Sequence, residues 1–291
     1  MPAPSLLVLA AGMGSRYGGL KQIEPVGPSG ETLLDYAVFD ALRAGFGRVV
    51  FVIRRDIREI FREKVGARYA DRAPVDYVFQ ELEDLPAGFR APSARGKPWG
   101  TGHAVWCARA AVAENFAAIN ADDFYGADSF RQLAAFLRGR PAASHFALVG
   151  FELAQTLSEH GTVARGVCEV KGGRLVSIAE TAGISTADVG PGRKFSGAEI
   201  VSMNCWGFTP ALFPALEALL REFLAAHGDD PKSEFYLPEA VGSLVAREEA
   251  SVNVLSTRAS WFGMTHREDK PRVAADIAEL VRRGEYPAKL F

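Results

Sequence analysis

Residues 5–11, SLLVLAA, are apolar after Ser5 and run directly into the glycine-rich stretch GMGSRYGG. A short apolar strand of this kind suits a parallel sheet covered on both faces. TLLDYAVFDALRAG follows, with Leu33, Leu34, Ala37, Val38, Ala41 and Leu42 at helical spacing and Gly45 placed to stop the helix. The same alternation continues: RVVFVI reads as a strand, DIREIFREKVG as a helix, VDYVFQE as a strand, HAVWCARAAVA as a helix, and FAAIN as a strand ending at Ala121-Asp122-Asp123. Alternation of this kind predicts an α/β chain with a Rossmann-like, doubly wound sheet, mixed but mainly parallel. Ligands of such sheets sit beyond the carboxyl ends of the strands. The glycine loop, Gln80 and Asp122 all fall there.

The later part changes character. HFALVGFEL, TVARGVCEV and RLVSIAE read as strands, the last two joined as a hairpin around Gly172-Gly173. EIVSMNCWGF and ASVNVLST read as further strands, and ALFPALEALLREFLAAHG and DKPRVAADIAELVRRG as helices. No internal repeat or low-complexity linker divides the chain, so one domain over 1–291 is expected, with halves 1–140 and 141–291.

With 48% of its 291 residues hydrophobic, the chain can build a sizeable core. A formal charge of −2 gives no reason to expect a nucleic-acid partner. Cys107, Cys168 and Cys205 are scattered and odd in number, which predicts buried reduced thiols. No run approaches the roughly 18 apolar residues of a membrane span, and no charged leader precedes the first apolar stretch. A cytoplasmic protein without a membrane partner is the expectation. Oligomeric state is left open, a homo-oligomer included.

Three glycine signatures compete for residues 10–22. The dinucleotide fingerprint needs glycine at 17, where Tyr17 stands, and an acidic residue after the second strand, which ends in Arg54-Arg55. The P-loop spacing fits Gly14 and Gly19, but Leu20 replaces its lysine and Gln22 its metal-binding hydroxyl. What remains is A-A-G-x-G-S-R with lysine five residues on. Gly12 and Gly14 let the backbone approach phosphates, and Arg16 and Lys21 add positive charge where a triphosphate would lie.

The segment LVLAAGMGSRYGGLKQ resembles the signature of the sugar-1-phosphate nucleotidyltransferases and their cytidylyltransferase relatives. VFQE and KPWGTGHAV resemble that family's base-reading strand and loop, and INADDFYG its metal-binding strand end. The resemblance is good over the first half, making it the nucleotide-binding half, and weaker over the acceptor-binding half. It implies the nucleotide-diphospho-sugar transferase type of fold. It also implies transfer of NMP from a nucleoside triphosphate to a phosphorylated small-molecule acceptor, a sugar 1-phosphate, with Mg²⁺, giving an NDP-sugar and pyrophosphate.

Roles follow from that resemblance. Ala10, Ala11, Gly12 and Gly14 would line the nucleotide through main-chain atoms; Arg16 and Lys21 would be catalytic. Gln80 would hydrogen-bond the base, with Gly100 and Thr101 packed against it. Asp122, at a strand end, is the metal candidate ahead of Asp123, because successive strand residues alternate in direction. His103 reads as a helix-opening residue rather than a general base, since a substrate phosphate is already an anion. Glu180, Lys194 and Asn204 are the acceptor-binding candidates. Two departures stand out. Thr181 occupies the position of the lysine in the family's E-K-P segment, and Lys194 is the expected substitute. Gly263 stands where many relatives carry a second metal-binding aspartate, so either one carboxylate suffices or another residue supplies it. Because of Gly263, a catalytically silent nucleotide-binding regulator is the rival reading; an NAD-dependent oxidoreductase is weaker. The base and the acceptor stay open.

Overall fold

The computed structural model describes residues 2–12, 23–158, 161–264 and 267–291. The first half runs β1 (Ser5–Leu9), α1 (Leu33–Ala44), β2 (Arg48–Ile53), α2 (Arg58–Lys64), β3 (Val75–Phe79), α3 (Thr101–Cys107), β4 (Phe116–Asn120), β5 (Asp123–Phe124) and α4 (Gly126–Arg138). The second runs β6 (His145–Glu152), β7 (Val163–Lys171), β8 (Arg174–Ile184), β9 (Ile200–Phe208), α5 (Leu212–His227), α6 (Leu237–Ala246), β10 (Ser251–Ser256), β11 (Phe262–Gly263) and α7 (Lys270–Arg282).

Local chemistry sets the first helix. Thr32 and Asp35 form a reciprocal capping box at its start, satisfying two otherwise orphaned N–H groups. Gly45, at φ +92°, ends it in the left-handed conformation. Its Leu34, Ala37, Val38 and Ala41 face the sheet, while Leu33 and Tyr36 meet α7 and the C-terminal Tyr286 and Leu290 on the outer side.

Nine strands form one sheet in the order β3-β2-β1-β4-β9-β6-β10-β8-β7, and β5 and β11 form a small second one. Helices α1 and α4 bury their apolar stripes on one face, and α3, α5 and α6 on the other. The helix-covered α/β sandwich therefore stands, but the expected parallel predominance does not. Among the described residues four pairings of the large sheet are parallel and five antiparallel. The reversal comes from the connections. Gly172 and Gly173, at φ +59° and +74°, fold β7 and β8 into the expected tight hairpin. β9 then returns antiparallel between β4 and β6 without a crossover helix. Hydrophobic runs do not report strand direction, so this was not visible in the pattern.

Parallel register aligns the four strands that matter most. Leu9 is level with Val52 and with Asn120, and Ile53 is level with Phe79. The carboxyl ends of β3, β2, β1 and β4 thus share one edge, which carries Gln80, Arg54, Ala10 and Ala121. The three cysteines are free and buried. Among the described residues no helix is long and apolar enough to cross a membrane.

Candidate active site

At the end of β1, Ala10 and Ala11 are buried and Gly12 is exposed. The Ala10 N–H donates to the Val52 carbonyl at 2.8 Å, and Ala121 N–H donates to the Leu9 carbonyl at 3.2 Å. Among the described residues, a Cβ built on Gly12 would meet no atom within 4 Å. Gly14, Arg16 and Lys21 lie outside the described residues.

Gln80 follows β3 and is buried; its Nε2 lies 2.9 Å from the Gly100 carbonyl and 3.1 Å from His103 Nδ1. Proton bookkeeping fixes this amide. His103 Nε2 is 2.7 Å from the Asp84 carbonyl, so it must donate there. Burial pushes the imidazole down to about 4, against the opposing pull of Asp84, so the ring is neutral and Nδ1 is an acceptor. Gln80 consequently spends both amide protons on the protein. Its Oε1, with no donor among the described residues, is the one group it can offer to a ligand. The completely buried His103 is thus a neutral structural link, with no reach for general-base chemistry.

Gly100 and Thr101 also have duties within the protein. Gly100 sits at φ +103°, and a Cβ there would lie 2.7 Å from the Phe235 carbonyl oxygen. The Thr101 hydroxyl accepts the Leu237 N–H at 3.0 Å, and Gly102 N–H donates to the Phe235 carbonyl at 2.9 Å. The loop that the resemblance places against the base is thereby stitched to the start of α6.

Asp122 lies half-buried in the turn between β4 and β5, and Asp123 is buried as the first residue of β5. Strand alternation does not govern this pair, because Asp122 is not in a strand. Asp123 Oδ2 accepts the Asn120 side-chain amide at 2.9 Å and lies 3.1 Å from the Tyr125 hydroxyl. Gly263 pairs with Asp123 across the small sheet, and a Cβ on Gly263 would stand 2.5 Å from Asp123 Oδ1. Glu268 and Asp269 fall in the turn that leads into α7. No group of three or more histidine, cysteine or carboxylate side chains is gathered for a metal among the described residues.

The acceptor candidates are spread more widely. Glu180, exposed on β8, neighbours Glu239 of α6; partial desolvation and then that like charge raise its carboxyl, while Arg165 opposes them. Asn204 interrupts β9 at φ +56° beside an irregularity in the β6–β9 ladder, and its Oδ1 accepts the Trp206 indole N–H at 3.3 Å. A non-glycine residue in this conformation is uncommon, although asparagine tolerates it better than most. Lys194 is exposed, with Nζ 5.2 Å from the Phe195 ring centre. No hydrogen bond or ion pair joins it to Glu180 among the described residues.

Comparison with known proteins bears on the fold that carries these residues. Residues 6–81, covering β1 to β3 and reaching Gln80, match the MobA-like NTP transferase domain. No curated protein matched the sequence. Three solved structures superpose over nearly the whole chain. One, from Bacillus anthracis and assigned as a glucose-1-phosphate thymidylyltransferase in complex with sucrose, has a TM-score of 0.65 at 12% identity, covering 94% of this chain and 95% of its own. A UDP-glucose pyrophosphorylase complexed with UDP-glucose gives 0.61 at 18% identity, covering 96% and 99%. The inositol-1-phosphate CTP transferase from T. maritima gives 0.61 at 16% identity, covering 95% and 97%.

The fold is that of the nucleotidyltransferases. Both the matched family and the superposed structures are of nucleotidyltransferases, so the recognition carried by LVLAAGMGSRYGGLKQ stands, and with it the reading of an enzyme. On this nucleotidyltransferase fold a buried arginine stands outside the candidates read from the sequence. Arg165 of β7 is 8% exposed and on the same side as buried Val163. That parity, an arginine in phase with the inward residues of a strand, was the available signal.

Proposed function

We propose that the chain transfers a nucleoside monophosphate from a nucleoside triphosphate to the phosphate of a small acceptor, a sugar 1-phosphate, with pyrophosphate as the leaving group. The observation that carries this reading is the shared edge: the ends of β1, β3 and β4 bring Ala10–Gly12, Gln80 and Asp122 together beyond the parallel strands. A phosphate oxygen of the acceptor attacks the α-phosphorus, and the bond from that phosphorus to the β-phosphate bridging oxygen breaks. Ala10, Ala11, Gly12 and Gly14 line the nucleotide, and Gln80 accepts a hydrogen bond from the base through Oε1. Arg16 and Lys21 hold the charge that builds on the phosphates.

Mg²⁺ fits the donors present, because this ion takes one or two carboxylates and completes its shell with substrate phosphates and water. Asp122 would hold it, and when bound it supplies charge neutralisation on the triphosphate. One domain of two halves, in the cytoplasm, is the setting this reading takes. The named neighbours act with thymidylyl, uridylyl and cytidylyl groups, so the fold does not select the base. Pyrophosphate release from the common triphosphates against a panel of sugar 1-phosphates tests the proposal. One productive pair supports it, and none would count against it.

A further inference from the structure

Arg165 is a buried cation without a carboxylate in ion-pair reach among the described residues. Its Nε donates to Thr156 Oγ1 at 3.1 Å, Nη1 to the Ala164 carbonyl at 2.8 Å, and Nη2 to the Thr156 carbonyl. These bonds fix the guanidinium but do not neutralise it. Taking an unneutralised charge out of water is expensive. Desolvation pushes the group down to about 10, and the acidic groups that act on it, Asp123 and Glu180, hold it up without pairing with it. The guanidinium lies 5.1 Å from the ring centre of Trp261, whose buried indole N–H has no acceptor among the described residues. A cation and a buried N–H, both lacking an acceptor charge, thus stand side by side two residues from Gly263.

The sheet register supplies the second half of the argument. Arg165 is directly opposite Thr181 on the β7–β8 ladder. Opposed residues of an antiparallel pair project from the same face. The side chain of Arg165 therefore rises beside the position that is threonine here and lysine in the E-K-P pattern. Lys194, the substitute expected from the sequence, is exposed on a separate loop.

We propose that Arg165 binds the phosphate of the acceptor, in place of the lysine this chain lacks at position 181. The inference rests on the transferase reading for the identity of that phosphate as the attacking group. A guanidinium offers two parallel donors to phosphate oxygens, and the Trp261 N–H adds a neutral one.

The test uses the full chain and two probes, glucose 1-phosphate and inorganic phosphate, titrated by calorimetry against wild type, Arg165→Met, Arg165→Lys and the double variant Arg165→Met/Thr181→Lys. A non-hydrolysable triphosphate analogue is titrated in parallel. Arg165→Met should weaken both phosphate probes by about tenfold or more, as loss of a charge-assisted bond requires, and leave the analogue unchanged. Thr181→Lys in that background should recover part of the loss. Should Arg165→Met fail to fold, Arg165→Lys carries the comparison: a severalfold loss for the phosphates alone supports the assignment. Wild type that binds neither phosphate probe, variants that bind them as wild type does, or equal losses for phosphates and analogue would overturn it. Failure of the transferase reading looks different. Phosphate binding would still depend on Arg165, but no triphosphate would release pyrophosphate.

Discussion

Gly263 faces Asp123 across the ladder of β5 and β11, so close that a Cβ on the glycine would stand 2.5 Å from the Asp123 Oδ1. The position that is a second aspartate in many relatives is filled here by the carboxylate of the opposite strand. Restoring the aspartate would set two like charges against each other in a buried place. Gly263→Ala should lower the free energy of unfolding by about 1–3 kcal/mol, the range for overpacking, and Gly263→Asp by more. Urea titration checks both, and a Gly263→Ala variant as stable as wild type would disprove the packing argument.

The buried imidazole of His103 should tie stability to pH. In the unfolded chain it titrates near 6.5, whereas in the folded chain burial holds it down to about 4. Because the folded value is the lower one, the unfolded state binds the proton first. Stability from this group is complete above pH 6.5 and is lost as pH falls toward 4, by roughly 3 kcal/mol in all. Asp40, raised to about 6 by burial, works in the opposite sense, losing stability as pH rises through that value. The difference between wild type and His103→Asn isolates the histidine. Unfolding free energies with the same pH slope in both proteins would refute the assignment.

Gln80→Glu tests the amide orientation. The new carboxylate would face two acceptors, the Gly100 carbonyl and His103 Nδ1, so neutral-pH stability should fall by about 1–3 kcal/mol. Unlike wild type, the variant should recover stability on mild acidification, as a proton restores a donor between residues 80 and 103. Thermal unfolding from pH 7 to 5 reads this, and a monotonic loss in the variant would contradict it.

What the sequence disclosed depended on which forces act locally. Strands β2 and β4 coincide with RVVFVI and FAAIN, because apolar runs with sharp flanks leave little choice. Helices α4 and α6 were not singled out. Neither has a side-chain N-cap to mark its start, and α6 is only ten residues long. The Gln80 and Asp122 positions could be read from strand ends, since the carboxyl edge of a parallel sheet is set by topology. Arg165 could not be read the same way. Its meaning lies in the register with Thr181, a pairing set by the Gly172-Gly173 turn and the ladder irregularity near Val163.

Asp122 and Asp123 should separate by kind of defect. Asp122→Ala should fold normally and lose turnover. Asp123→Ala strips the Asn120 side-chain amide of its acceptor and should cost about 1–3 kcal/mol of stability as well. Thermal melts beside turnover measurements distinguish them, and the reverse pattern would move the metal assignment to Asp123.

The central claim is transfer chemistry at the carboxyl edge of β1, β3 and β4. Pyrophosphate release by the purified chain with Mg²⁺, read over the triphosphate and sugar 1-phosphate panel and repeated with Lys21→Ala and Asp122→Ala, tests it most directly. The account predicts one productive pair in the wild type and a loss of at least about a hundredfold in each folded variant. Undiminished release in both variants, or none from the wild type with any pair, would contradict it.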